Sequence, residues 1–297
     1  DQHRGNPFSK TFISPRKRGP ASSESLMRNP IRKAVDVAAV FLVAIYLAPI
    51  YWISLTSIKP MNEINSKEPV WIFEPTMEHY VQAFERFEFG KALLNSSIIV
   101  FSATIITMIL ALIAAYALSR MKMRGADVLS LFILSLRFMP AVVIAMPYYL
   151  MFLKAGLIDS HIGMIIVYVG YGLPFAVWIM RGFLKDLPKE IEEAARLDGL
   201  GWLSIIRRII LPLSGPGIAV TAIFTFVFNW NEYLFALYLT QANAVTLPIQ
   251  IAKMVDAYTV LWGTISASVV MQLVPMVVVV FLLQRHMIRG LALGAVK

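Results

Sequence analysis

The chain has 297 residues, 58% of them hydrophobic and only 15% charged, and its 27 Lys and Arg against 18 Asp and Glu give a formal charge of +9. A mean hydropathy of +0.68 excludes an ordinary water-soluble domain and makes the bilayer the natural solvent. The lack of cysteine excludes a disulfide framework, a thiolate zinc site and a cysteine nucleophile.

Residues 1–33 read as a basic arm, low in hydrophobicity, suited to orienting the chain and attracting anionic lipid heads. About thirty polar residues precede the first apolar run, so the arm does not resemble a secretory signal peptide and is expected to be retained and mostly disordered. Residues 34–286 form the membrane portion, and 287–297 a short tail. Within the membrane portion, apolar runs cover 34–58, 92–118, 126–153, 162–180, 213–239 and 265–284. Each reaches the roughly 20 residues that a helix needs to span the hydrocarbon core. The alternating pattern of a membrane barrel is absent, so the expected fold is an all-α integral membrane protein with six transmembrane helices.

Charge orients it. Lys59, Lys67, Arg86, Lys91, Lys154 and Lys253 fall in one set of loops, Arg137 falls inside a span, and every other Lys and Arg lies in the tails or the opposite loops. By the positive-inside rule both termini are cytoplasmic. That distribution also explains the positive charge without nucleic acid.

The largest outer loop, 59–91, is acidic (Glu63, Glu68, Glu74, Glu78, Glu85, Glu88) and punctuated by Pro60, Pro69 and Pro75. A short helix is expected after Thr76, with Tyr80, Phe84 and Phe87 at helical spacing. It suits either an external partner or an interfacial site with its aromatics at headgroup level. The connection at 154–160 is uninformative.

Arg137 in the third span and Glu232 in the fifth, beside Asn229 and Asn231, are ionisable or polar groups at membrane depth, where they need partners or water. Opposite charge makes a direct Arg137–Glu232 pair an expectation. Sugars are held by aromatic faces and hydrogen-bonding side chains, which adds Tyr148, Tyr149, Tyr171, Trp230, Asn231 and Tyr233 as candidates along a route; membrane-boundary anchoring is the other role for such aromatics. Gly170, Gly172 and Pro174 can interrupt the fourth span or merely kink it.

Between Arg181 and Pro212 the composition becomes charged and amphipathic. One helix is expected after Pro188, with Glu190, Glu192 and Glu193 near its N-terminus and Gly199 at its end, and a second over 202–210. Leu203, Ile206 and Ile210 share a face of the second helix and Arg207 and Arg208 reach headgroups, so it is expected along the membrane surface, as a bland hairpin or as a docking elbow.

Glu193, Ala194 and Ala195, then Gly199, then Ile209, Leu211 and Pro212 follow the spacing EAA, three residues, G, nine residues, I, any residue, LP. This resembles the EAA loop of ABC importer permeases. The segments RFMPAVVIAMPYYLMF, NWNEYLFAL and RGLALGAVK are similar to carbohydrate permeases of the maltose-transporter second-subunit type. The resemblance implies a cytoplasmic coupling helix docking on an ATPase, a second homologous permease subunit, two ATP-binding subunits and an extracytoplasmic solute-binding protein. It also implies import of a sugar or oligosaccharide across a bacterial-type inner membrane.

No stretch reads GxxxxGK followed by Ser or Thr, so ATP and Mg belong to partner subunits and this chain binds no cofactor. His3, His79, His161 and His286 are scattered, which speaks against a metal site. The rival readings are a permease for a polyol, glycerol phosphate or modified sugar, a secondary transporter or channel, and an intramembrane enzyme, the last lacking any clustered nucleophile, base or metal set.

Overall fold

The computed structural model describes residues 30–121, 123–255 and 260–294, with side chains from 32 to 285 apart from the gaps. The basic arm up to residue 29, the last three residues and the side chains of RGLALGAVK lie outside the described residues. Helices account for almost everything described: α1 (Pro30–Ser57), α2 (Met61–Ile64), α3 (Glu78–Glu85), α4 (Phe89–Arg120), α5 (Ala126–Ser135), α6 (Ala141–Lys154) and α7 (His161–Asp186). These are followed by α8 (Lys189–Leu197), α9 (Trp202–Ile205), α10 (Leu211–Leu213), α11 (Gly215–Trp230), α12 (Leu234–Leu239), α13 (Leu247–Ala252) and α14 (Trp262–Gly294).

Among the described residues, four helices are long and apolar enough to cross a membrane unbroken, within α1, α4, α7 and α14. Two bent helix pairs, Ala126–Phe138 with Ala141–Lys154 at 87° and Trp202–Leu213 with Gly215–Trp230 at 79°, bring the number to six where each pair is taken as one span. The first bend has a local cause: Pro140 disfavours helical backbone at Met139, which is extended, and a 3₁₀ turn at Leu136–Phe138 closes the preceding helix. The second comes at Ser214, just before Pro216 in the first turn of α11. By contrast, α7 runs uninterrupted through Gly170, Gly172 and Pro174. There a Cβ at Gly172 would meet Thr225 at 3.6 Å and Thr107 at 3.7 Å, ordinary van der Waals contact.

Among the described residues, 30–51 belong to a unit of their own, a helix whose apolar side chains are exposed. From Trp52 onward, α4 packs along α7, and α11 packs against α4, α7 and α14. Two apolar clusters fill this bundle. One gathers Ile99, Tyr168, Phe226, Trp230 and Phe235. The other gathers Ala115, Met180, Leu184, Ala195, Ile205 and Ile210 beneath the connection from α7 to α11.

The helix expected after Thr76 is α3, and hydrogen bonds tie it to the helix ends: the Tyr80 hydroxyl meets Ser57 Oγ at 2.9 Å, and Thr264 donates to Gln82 at 2.7 Å. Buried His79 bonds the Lys59 carbonyl at 2.8 Å, its ring lying directly over Gly263.

The short 154–160 connection is also structural. Asp159, at φ +55°, accepts from the backbone N–H groups of Gln241, Ala242, Asn243 and Ala244 at 2.9 to 3.2 Å. Asn95 donates to the Asn243 and Val245 carbonyls while His161 meets its Oδ1, and Ser96 accepts from Leu247 N. Partial burial alone would raise the Asp159 pKa, but the N–H groups of Ala244, Gln241, Asn243 and Ala242 outweigh it and hold the carboxyl at about 2. A depressed folded pKa contributes stability that is complete above the unfolded value of about 4 and is lost as pH falls through about 2. Asp159→Ala is therefore expected to accelerate amide hydrogen exchange at 241–244 about tenfold or more at neutral pH, and unchanged exchange would remove the anchoring role.

Candidate functional site: the elbow and the membrane-depth aromatics

The segment between α7 and α11 is built on one buried ion pair. Arg120, at the end of α4, and Glu192, in α8, have side chains only 4% and 5% exposed, and the Arg120 Nε donates to Glu192 Oε1. The Tyr116 hydroxyl donates to Oε2 at 3.1 Å, and Arg120 Nη2 donates to the Leu187 carbonyl at 3.0 Å. Helical spacing places Glu192 and Ala195 on the same inward face, so Ala195 sits in the cluster with Ile205 and Ile210.

The outward face carries Glu193, Ala194 and Leu197, the last 90% exposed. Gly199 takes φ +82°, a left-handed conformation that a side chain would strain, while its N–H and that of Leu200 close on Arg196 and Ala195. Of the three residues EAA, the structure turns the first two outward and the third inward. The buried acid is Glu192, and its neighbour Glu193 stays exposed.

The second arm of the elbow also differs from the expected face. Ile205 and Ile210 are buried and Ile206 and Ile209 half-buried, whereas Leu203 points outward; Leu211 and Pro212 are exposed. The register changes because Ile206–Ile210 forms a wide π turn. Pro212 has no N–H for the Arg208 carbonyl and its ring crowds that group, which opens the helix just before it.

At membrane depth Arg137 does not pair with Glu232. It occupies the 3₁₀ turn in the 87° bend, donates Nη1 to the Tyr171 carbonyl at 2.9 Å, and lies 3.6 Å from the Tyr171 ring centre and 5.1 Å from that of Phe228. Glu232 instead caps α12, accepting from Phe235 N at 2.8 Å and Ala236 N at 3.2 Å. Tyr171 and Tyr148 both contact the Phe235 ring, at 5.2 and 5.8 Å. Tyr149 is half-buried, and Asn231 and Tyr233 are exposed.

Trp230 is 1% exposed, stacks on Phe226 at 5.3 Å and donates to the Gln272 carbonyl. Trp230 and Glu232 therefore serve the internal framework, while Arg137, Tyr171 and Tyr148 are brought together. Phe228, the second ring beside the guanidinium, and Phe175, 5.4 Å from it, were not expected. Phe224 and Phe228, four residues apart beside NWNEY, carry a helical-face signal that a search confined to Tyr and Trp passes over.

Residues 80–292 match the family model described as "Binding-protein-dependent transport system inner membrane component". The diacetylchitobiose uptake system permease protein DasC of Streptomyces coelicolor is 32% identical, covering 88% of this chain and 96% of that protein. The trehalose/maltose transport system permease protein MalG of Thermococcus litoralis is 30% identical over 91% of this chain and 99% of its own length. A crystal structure of a bacterial ABC transporter involved in the import of the acidic polysaccharide alginate superposes with a TM-score of 0.71 at 23% identity, covering 90% of this chain and 99% of that one, a likeness of fold.

The chain belongs to this family of multi-pass inner-membrane permeases of binding-protein-dependent ABC transporters, among those of carbohydrate uptake. It is a transporter subunit and not an enzyme.

Proposed function

We propose that this permease lines the import route of a neutral sugar or oligosaccharide and is driven by ATP-binding subunits through the α8–Gly199–α9 elbow. The observation that carries the proposal is an exposed knob, Glu193, Ala194 and Leu197, standing on a buried ionic foot, Arg120–Glu192. A knob anchored in this way transmits displacement to α4 and α7 instead of folding away under load.

In this reading the elbow and both termini are cytoplasmic, ATP and Mg are held by two partner ATPases, a second permease subunit completes the pathway, and a solute-binding protein delivers substrate on the opposite face. A neutral carbohydrate suits the Tyr148, Tyr171 and Phe228 rings, with Arg137 as a hydrogen-bond donor at the bend. The sugar-uptake permeases similar to this chain support that class of substrate.

The test uses the native absence of cysteine. In the co-purified complex with candidate ATPase and permease subunits, Leu197→Cys is expected to crosslink to the ATPase in a nucleotide-dependent way, while Ala195→Cys, on the inward face, crosslinks far less. Equal reactivity of the two, or an assembled complex with neither crosslink, would overturn the elbow mechanism. A radiolabelled uptake panel of disaccharides, polyols and glycerol phosphate then tests the substrate class, with transport of the disaccharides alone as the expected result.

A further inference from the structure

A second site lies away from the elbow and the membrane-depth aromatics. The end of α1 from Trp52 onward, α2 with the loop after it, and the start of α14 enclose a cavity of about 460 Å³. One wall is apolar, formed by Trp52, Ile53, Ile265 and Val269 on the two spans. The other carries both signs of charge, Lys59 and Lys67 with Glu63 and Glu68.

Two of these groups are incompletely satisfied. Lys59 is only 6% exposed, and its ammonium donates to the Val70 carbonyl at 2.6 Å and lies 5.6 Å from the Trp52 ring and 5.1 Å from that of Phe73. Among the described residues no carboxylate lies within ion-pair distance of it. Glu63 has a buried oxygen, Oε2, with no hydrogen-bond partner. A buried cation without an anion and a buried acceptor without a donor are each costly, and here they line one cavity without closing on each other.

We propose that this cavity binds a phospholipid with a phosphoethanolamine headgroup, the phosphate on Lys59 and Lys67, the ammonium on Glu63 and Glu68, and the acyl chains along Ile53 and Val269. A ligand carrying both charges satisfies both groups. The apolar wall lies at the ends of two spans, where headgroups and Trp side chains meet, and this favours a lipid over a soluble zwitterion. A primary ammonium can donate to Glu63 Oε2, which a quaternary choline cannot, and a glycerol headgroup brings no cation.

Native mass spectrometry of the delipidated, detergent-solubilised permease complex tests this with dioleoyl phosphatidylethanolamine, phosphatidylcholine and phosphatidylglycerol, and with O-phosphoethanolamine alone. The ethanolamine lipid is expected to bind about tenfold tighter than either other lipid, the scale of one hydrogen bond to a charged group. Glu63→Gln, which removes no hydrogen bond made by the Oε2 atom, is expected to bring the preference to within about twofold; Lys59→Gln weakens all three lipids. Equal affinities in the wild type, or a preference that survives Glu63→Gln, would overturn the site. Binding of O-phosphoethanolamine as tight as that of the lipid would overturn the lipid assignment in favour of a soluble zwitterion.

Discussion

Glu192→Ala is expected to lower the melting temperature of the solubilised permease by about 6 °C or more and to abolish uptake, while Glu193→Ala leaves the melting temperature unchanged. The difference follows from their opposite faces. Removing the Glu192 carboxylate strands a guanidinium that is 4% exposed, whose Nη1 is already without a partner and whose Nη2 keeps only the Leu187 carbonyl. Leaving one member of a buried pair uncompensated costs about 3–5 kcal/mol, and in a protein of this size each kcal/mol moves the midpoint by about 2–4 °C.

That loss measures the stranded charge more than the worth of the pair. The double variant Arg120→Met, Glu192→Met should therefore recover much of the stability. Its uptake separates the two roles of the foot: a stable but inactive double variant would show that the ionic contact itself carries motion to α4, and full activity would reduce it to packing. Unchanged melting in Glu192→Ala would contradict the buried geometry.

The second large effect is expected at Gly163. A Cβ there would fall on the Leu157 carbonyl oxygen and 2.9 Å from Ser160 Oγ. The carbonyl is backbone and cannot rotate away. Ser160 is also engaged, accepting from Gly163 N at 3.0 Å as the N-cap of α7 and donating to the Leu157 carbonyl at 2.7 Å. Gly163→Ala must displace the turn that positions Asp159, with an expected loss of about 2–3 kcal/mol. Proteolytic nicking near 155–160 or 241–245 should rise, and uptake should fall.

Gly170→Ala in the same helix is the control, since a Cβ there meets nothing within 4 Å. Alanine should be neutral or slightly stabilising at that site. Equal behaviour of the two variants would show that the close contact at 163 relaxes freely.

The apolar runs and the EAA spacing made the spans, the elbow and the family legible in the sequence, because hydrophobic length and helix punctuation are local properties. Facing was less legible. The run Glu190, Glu192, Glu193 offers three acids to the first turns of α8, and only the position of the α4 end decides that Glu192 meets Arg120. Arg137 and Glu232 show the same limit, since opposite charge at membrane depth suggested a pair that tertiary placement replaced with aromatic contacts and a helix cap. Asp159 left no signal, because its partners are backbone N–H groups more than eighty residues away, which carry no side-chain identity to read. Pro140 was visible as a residue, but its effect appeared only as a right-angle break in a run read as one span.

The wide turn at Ile206–Ile210 has a consequence for how this segment can vary. An α-helix advances about 100° per residue and a wide turn less, so whether this turn is wide or regular sets which residues on the Gly199 side face the cluster. Closing the turn to α geometry without losing a residue, as Pro212→Ala permits, would rotate Ile205 off the cluster and carry Ile206 and Leu203 toward it, whereas deleting one residue between 206 and 210 leaves Ile205 four positions before Ile210 and on the same face. Spacing and turn type are thus coupled along this stretch: aliphatic exchanges such as Ile for Val or Leu should pass with little effect, and a single-codon deletion within 206–210 should be far milder than losing the buried acid because the turn closes to α geometry around it.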